Sequence, residues 1–220
     1  MTSQEHIKEQ LKRIKLTLPQ HVSLVCVSKF QPIDAIQEAY ACGERDFGES
    51  RVQELKDKYS ALPKDIRWHM IGHLQTNKVK QIIPFVHLIH SVDSVRVLNI
   101  INQEAEKIQR RVRVLLEVHV AKEATKSGFT PQEFEHLILN TPTYPTDYPW
   151  VEIVGVMGMA TNTDDQKEIR ACFQTIKHCA DMLPISNPII SMGMSDDYHI
   201  AIEEGSNLIR IGSSLFGERN

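Results

Sequence analysis

The chain has 220 residues, with 25 Lys and Arg against 28 Asp and Glu, a formal net charge of −3, 41% hydrophobic and 24% charged residues. That balance is ordinary for a globular protein and supplies neither a basic face for nucleic acid nor a cationic run for an anionic membrane. The amino terminus has no continuous apolar segment and no small-residue cleavage site, so no signal peptide or membrane span is expected. Four cysteines, Cys26, Cys42, Cys172 and Cys179, lack CxxC spacing and read as reduced, buried thiols of a cytoplasmic protein, not as a zinc or disulfide framework.

Residues 3–18 place Ile7, Leu11, Ile14 and Leu18 at spacings of three and four, which predicts an amphipathic helix. The run 22–30 is apolar and β-branched, as expected of a parallel strand buried on both faces, and it ends on Lys29. A helix opened by Pro32 and closed by Gly43 follows. A short strand around residues 45–47 leads to a helix that Ser50 can cap, continuing through Val52, Leu55 and Tyr59. Residues 66–72 read as a strand and 74–83 as a helix. Residues 85–93 form a strand whose end, Ser91 to Asp93, caps a long helix through residue 109. Residues 111–120 are a strand, and Thr130 opens a helix to Asn140. The proline-rich stretch 141–149 reads as a surface loop. A strand over 150–160, a helix over 164–183, a strand with loop and short helix through Gly205, and a last strand ending in a glycine-serine turn complete the chain.

Strict β/α alternation predicts a parallel sheet, and eight such units without a linker predict one (β/α)8 TIM-type barrel domain over residues 1–220 with an extra N-terminal helix. An open doubly wound sheet is the alternative, but the chain has no GxGxxG turn for a dinucleotide.

Barrel chemistry gathers at the carboxyl ends of the strands, where Lys29 stands. Partial desolvation there disfavours the ammonium, and a neutral amine can attack a carbonyl, so Lys29 is a candidate Schiff-base lysine. The loops after the last two strands, Ser191-Met192-Gly193-Met194-Ser195 and Gly212-Ser213-Ser214, offer small residues, hydroxyls and backbone N–H groups suited to a phosphate. Arg210 stands beside them on the last strand. A reactive lysine, an arginine and a phosphate cradle together suit a phosphorylated aldehyde, of which pyridoxal 5′-phosphate is the common one. His87 and His90, three apart on a strand, point to opposite faces, and His69 and His73 flank Gly72 in a strand-turn context; neither pair predicts a metal site.

The segments VSK (27–29), FGESRVQE (47–54), WHMIGHLQTNK (68–78), HSVD (90–93), SMGMSDD (191–197) and RIGSSLFGER (210–219) resemble the pyridoxal-phosphate homeostasis protein family, the YggS/PROSC group, over nearly the whole chain. The resemblance implies a barrel of the alanine-racemase N-terminal type (fold type III) and pyridoxal 5′-phosphate held as an internal aldimine on Lys29. It further implies that Ser191, Gly193, Met194, Ser195, Gly212 and Ser213 hold the phosphate and that Arg210 faces the pyridine nitrogen. Two positions depart from the family pattern: Ser50 and His119 stand where asparagine is usual, whereas Lys126 fits its KxG pattern.

A guanidinium is always charged and only donates, so Arg210 holds the ring nitrogen unprotonated and makes the ring a weaker electron sink. Racemases of this fold type carry a further domain that supplies a base, and the chain ends after the eighth unit; His73 and Ser91 remain as lip residues. The expectation is a cofactor carrier without clear turnover of its own, cytoplasmic and monomeric, with free amino acids or cofactor-dependent apoenzymes as acceptors. The alternatives are a racemase or lyase whose second catalytic group comes from elsewhere, and a barrel for another phosphorylated metabolite with a structural Lys29.

Overall fold

Eight parallel strands pair in chain order and close on themselves: β1 (Ser23–Val27), β2 (Asp46–Glu49), β3 (Arg67–Met70), β4 (Leu88–Val92), β5 (Val112–Val118), β6 (Val151–Gly158), β7 (Ile189–Ser191) and β8 (Leu208–Ile211). The computed structural model describes residues 3–123, 127–140 and 147–217, and the expected (β/α)8 barrel is present within them. Closure is made by β1 on β8, with Val25 opposite Arg210 and Cys26 opposite Ile211.

The helices are α1 (Ser3–Thr17), α2 (Ile33–Ala41), α3 (Val52–Ala61), α4 (Val95–Lys107), α5 (Pro131–Asn140), α6 (Gln166–Asp181), α7 (Tyr198–Glu203) and α8 (Ser213–Phe216). α1 is the extra N-terminal helix; it buries Ile7, Leu11 and Ile14 and packs against α2 and α8. α5 begins with the reciprocal cap its sequence promises: Thr130 Oγ1 accepts from Glu133 N at 3.2 Å, and Thr130 N donates to Glu133 Oε2 at 2.9 Å.

Side chains alternate across each strand. One set meets the helices: Phe47, Trp68 and Ile89 lie fully buried beside Leu55 of α3 and Leu98 and Ile101 of α4. Each such side chain contributes about 1.5–3 kcal/mol by leaving water. The other set fills the barrel, where Val25, Leu88, Leu115, Met157 and Leu208 form a small apolar cluster. The rest of the interior is polar, and that polarity positions the site.

Several local expectations shift. Ser50 does not cap α3; Arg51 holds that position, without a side-chain cap. The long helix α4 starts past residues 91–93, because β4 runs on to Val92; Ser94 Oγ accepts from Val97 N at 3.4 Å. Residues 74–83 form a 3₁₀ helix, Thr76–Gln81, instead of an α-helix; Pro84 follows and cannot extend the ladder. The expected glycine-serine turn winds into α8. All four cysteines are free thiols, but Cys42, just beyond α2, is exposed. The surface loop expected over 141–149 falls for residues 141–146 outside the described residues, as do Lys126 and the motif's last two residues, Glu218 and Arg219. No helix among the described residues is long and apolar enough to cross a membrane.

Candidate functional site

β1 stops at Val27, and residues 28–30 turn sharply, with Phe30 at a φ of 66°. Positive φ is costly for a residue with a Cβ, so neighbouring groups must hold the turn. Lys58 of α3 reaches in and donates three hydrogen bonds, to Ser28 O at 2.7 Å, Glu49 Oε1 at 2.9 Å and Glu54 Oε1 at 2.7 Å. Glu54 Oε1 also accepts from Phe30 N at 2.6 Å, and Ser28 Oγ donates to Glu49 Oε1 at 2.5 Å. The peptides on both sides of Lys29 are therefore clamped from one buried cluster, and Lys29 itself is half-buried. Burial pushes the Glu49 carboxyl up to about 7, against the pull of Lys58 and Ser28. None of the clamp residues was singled out from the sequence, although Glu49 and Glu54 lie inside the FGESRVQE motif.

The loops after β7 and β8 converge. Ser213 Oγ donates to Ser195 Oγ at 3.1 Å, and Ser214 N points at the same oxygen at 3.4 Å. Met194 is 40% exposed and donates its N–H to Asp197 Oδ1 at 2.6 Å. The glycines have a reason other than close approach to an oxyanion. At Gly193, φ is 95° and a Cβ would stand 2.6 Å from Ala201 Cβ; at Gly212 a Cβ would stand 3.2 Å from Val27 O. Both seat the loops against α7 and β1.

Arg210 is buried in the barrel. It donates to Ser191 O and Ser191 Oγ, both at 2.7 Å, and to Gly158 O at 3.1 Å. Burial lowers its pKa to about 10, so it remains a cation at neutral pH. Ser191 is also buried and fully engaged, between Arg210 and His90 Nδ1 at 3.0 Å. Its side chain is thus committed to Arg210 and His90. Glu117 of β5 is buried nearby with Oε2 unpartnered; burial and Asp93 push its carboxyl up to about 8, opposed by Arg210. His119 has a buried, unpartnered Nδ1.

Of the two expected lip residues, His73 is exposed, with Nδ1 2.9 Å from Asp93 Oδ2, whereas Ser91 is buried and its Oγ donates to Gly72 O at 2.6 Å. Ser50 lines a groove there with Arg51, His73, Gln75 and Lys78. At the opposite mouth, Asp46, His69 and His87 bring ligand-type atoms within 4.8 Å of one another. Arg67 binds that aspartate through Nε at 2.7 Å, and Arg113 Nη1 stands 3.5 Å from His87 Nε2. Two fixed cations on a three-residue cluster oppose a metal ion.

The upper barrel thus combines an amine, a buried guanidinium and a cradle of hydroxyl and amide donors. That donor set fits a phosphorylated aldehyde carrying a ring acceptor. The profile of the alanine racemase N-terminal domain family matches residues 2–220. The pyridoxal phosphate homeostasis protein of Aquifex aeolicus is 40% identical over 201 residues, covering 89% of this chain and 86% of that one. The Bos taurus protein of the same name is 34% identical, covering 98% and 84%. PipY of Synechococcus elongatus, solved with PLP bound, is 33% identical with a TM-score of 0.85 over 96% of this chain and all of that one. Alanine racemase from E. faecalis, 16% identical with a TM-score of 0.79, shares the fold over 59% of its own length.

Proposed function

Because this chain belongs to the alanine racemase N-terminal domain family, as one of its pyridoxal phosphate homeostasis proteins, we propose that it binds pyridoxal 5′-phosphate and carries it for intracellular homeostasis. Lys29 supplies the amine that joins the cofactor's aldehyde, with loss of one water. Ser195 and Ser213, with the backbone of Gly193 and Gly212, hold the phosphate, and Met194, its N–H bound by Asp197, shapes the loop around it. Arg210 faces the ring nitrogen as a donor and keeps it unprotonated. Ser191 acts one layer down, on Arg210. The bound cofactor supplies an electrophilic aldehyde, and this chain's residues orient and release it.

The observation that carries this reading is the convergence of the β7 and β8 loops at the 3.1 Å contact of Ser213 with Ser195, over Arg210 and beside β1, whose end bears Lys29. The PLP-bound PipY structure supports the ligand assignment. Free amino acids and cofactor-dependent apoenzymes are the acceptors in this reading, and the protein is a cytoplasmic monomer folded as one domain over 1–220.

The test is the visible spectrum of the purified protein before and after borohydride reduction, with peptide mapping and Lys29→Ala. A band that vanishes on reduction, with the adduct on Lys29, supports the reading; a protein that stays colourless with added cofactor refutes it. Rapid exchange of amino-acid α-hydrogen for solvent deuterium would replace the carrier with a racemase or lyase.

A further inference from the structure

A chain of polar groups crosses the barrel interior from its amino-terminal mouth to Arg210. Asp46 Oδ1 lies 3.0 Å from His69 Nε2, and His69 Nδ1 lies 2.9 Å from His90 Nε2. His90 Nδ1 lies 3.0 Å from Ser191 Oγ, which lies 2.7 Å from Arg210 Nη1. His69, His90, Ser191 and Arg210 are all buried. Arg67 brackets the far end with two contacts to Asp46.

With both rings neutral, the two ends dictate every proton between them. A guanidinium only donates and a carboxylate only accepts. Arg210 therefore donates to Ser191 Oγ. The single hydroxyl hydrogen of Ser191 goes to His90 Nδ1. His90 must carry its hydrogen on Nε2 and give it to His69 Nδ1. His69 likewise carries its hydrogen on Nε2 and gives it to Asp46. The two rings then share one tautomer, and every donor points toward Asp46. Arg67 keeps that aspartate ionised, so the direction does not reverse.

We propose that this chain aims the guanidinium of Arg210, with His69 and His90 as positioning residues whose orientation is set by Asp46 at the opposite mouth of the barrel. The other two bonds of Arg210 go to main-chain carbonyls. Ser191 Oγ is thus its one side-chain hydrogen-bond partner among the described residues. The inference deepens the reading of Arg210 as the group facing the ring nitrogen and rests on it for its consequence, but the chain itself can be tested without cofactor.

The experiment has two arms. In cofactor-free, ¹⁵N-histidine-labelled protein, long-range ¹H–¹⁵N correlation spectra should show His69 and His90 neutral and protonated on Nε2. An Nδ1-protonated or doubly protonated ring at either position overturns the proposal. In the second arm, guanidinium signals of Arg210 are followed in His90→Leu, Ser191→Ala and His90→Gln. The glutamine amide can both accept from Ser191 and donate to His69. His90→Leu and Ser191→Ala should broaden the Arg210 signals and speed release of bound cofactor at least tenfold; His90→Gln should restore both to within about twofold of the parent. Unchanged Arg210 signals in Ser191→Ala overturn the proposal even if His90→Leu fails to fold. Failure of Lys29 to take up cofactor would instead strike the reading of the site, and the spectra of the cofactor-free protein would still decide the chain.

Discussion

Replacing Glu117 with glutamine should stabilise the protein, and by an amount that grows with pH. Glu117 is buried, its Oε2 has no partner, and its carboxyl titrates near 8 instead of the ordinary 4.5. An acid whose folded pKa is raised binds more protons folded than unfolded between those two values. Stability contributed by that group therefore falls as pH rises from 4.5 to 8. Integrating the difference gives a penalty of about 1 kcal/mol at pH 5, about 3 at pH 7 and about 5 at pH 9. Glutamine keeps the shape and does not titrate, so the variant escapes the penalty. At pH 7 the gain corresponds to a Tm higher by about 6–12 °C for a chain of this size. Thermal melts of both proteins by circular dichroism, without added cofactor, at pH 5, 7 and 9 check it. Glu49 is shared by both proteins and cancels in the difference. A Tm difference that stays constant across that range would refute the argument, because it would show that Glu117 does not titrate as burial requires.

Lys58→Met should destabilise by about 3–5 kcal/mol, since it leaves Glu49 and Glu54 without their buried partner; equilibrium denaturation reads this, and a loss below about 1 kcal/mol would mean the cluster does not hold the turn. Gly193→Ala should cost about 1–3 kcal/mol, because it puts a Cβ at a φ of 95° and 2.6 Å from Ala201 Cβ. The same variant should weaken competition by inorganic phosphate for the cofactor site, read by displacement of bound cofactor. An alanine accepted at full stability would show that the β7 loop relaxes freely.

The barrel was legible because a strand buried on both faces leaves a continuous apolar run, and because helices with a single buried stripe alternate with those runs. Lys29, Arg210 and the two serine loops were legible for a related reason: each adjoins the end of such a run. Caps were misplaced by one to three residues where a strand or loop extended further than its composition suggests, as at Ser50 and Ser94. The contact of Ser191 with His90 was hidden because the two lie 101 residues apart. Which strand faces meet across a barrel depends on register, and local sequence does not encode it. For that reason the sequence paired His69 with His73 and His90 with His87, and not His69 with His90. The glycines were recognised, but their cause, contact with Ala201 and Val27, belongs to packing between elements distant in sequence.

The clamp around Lys29 bears on the proposed carrier role. Its grip is on main-chain atoms, Ser28 O and Phe30 N, so the peptides on both sides of Lys29 are fixed by the fold itself. In the proposed carrier role, loading and unloading would leave the backbone of residues 28–30 in place. The ordering cost that a mobile loop would repeat at every exchange is met once, during folding. A carrier built this way would present the same receptacle at every exchange.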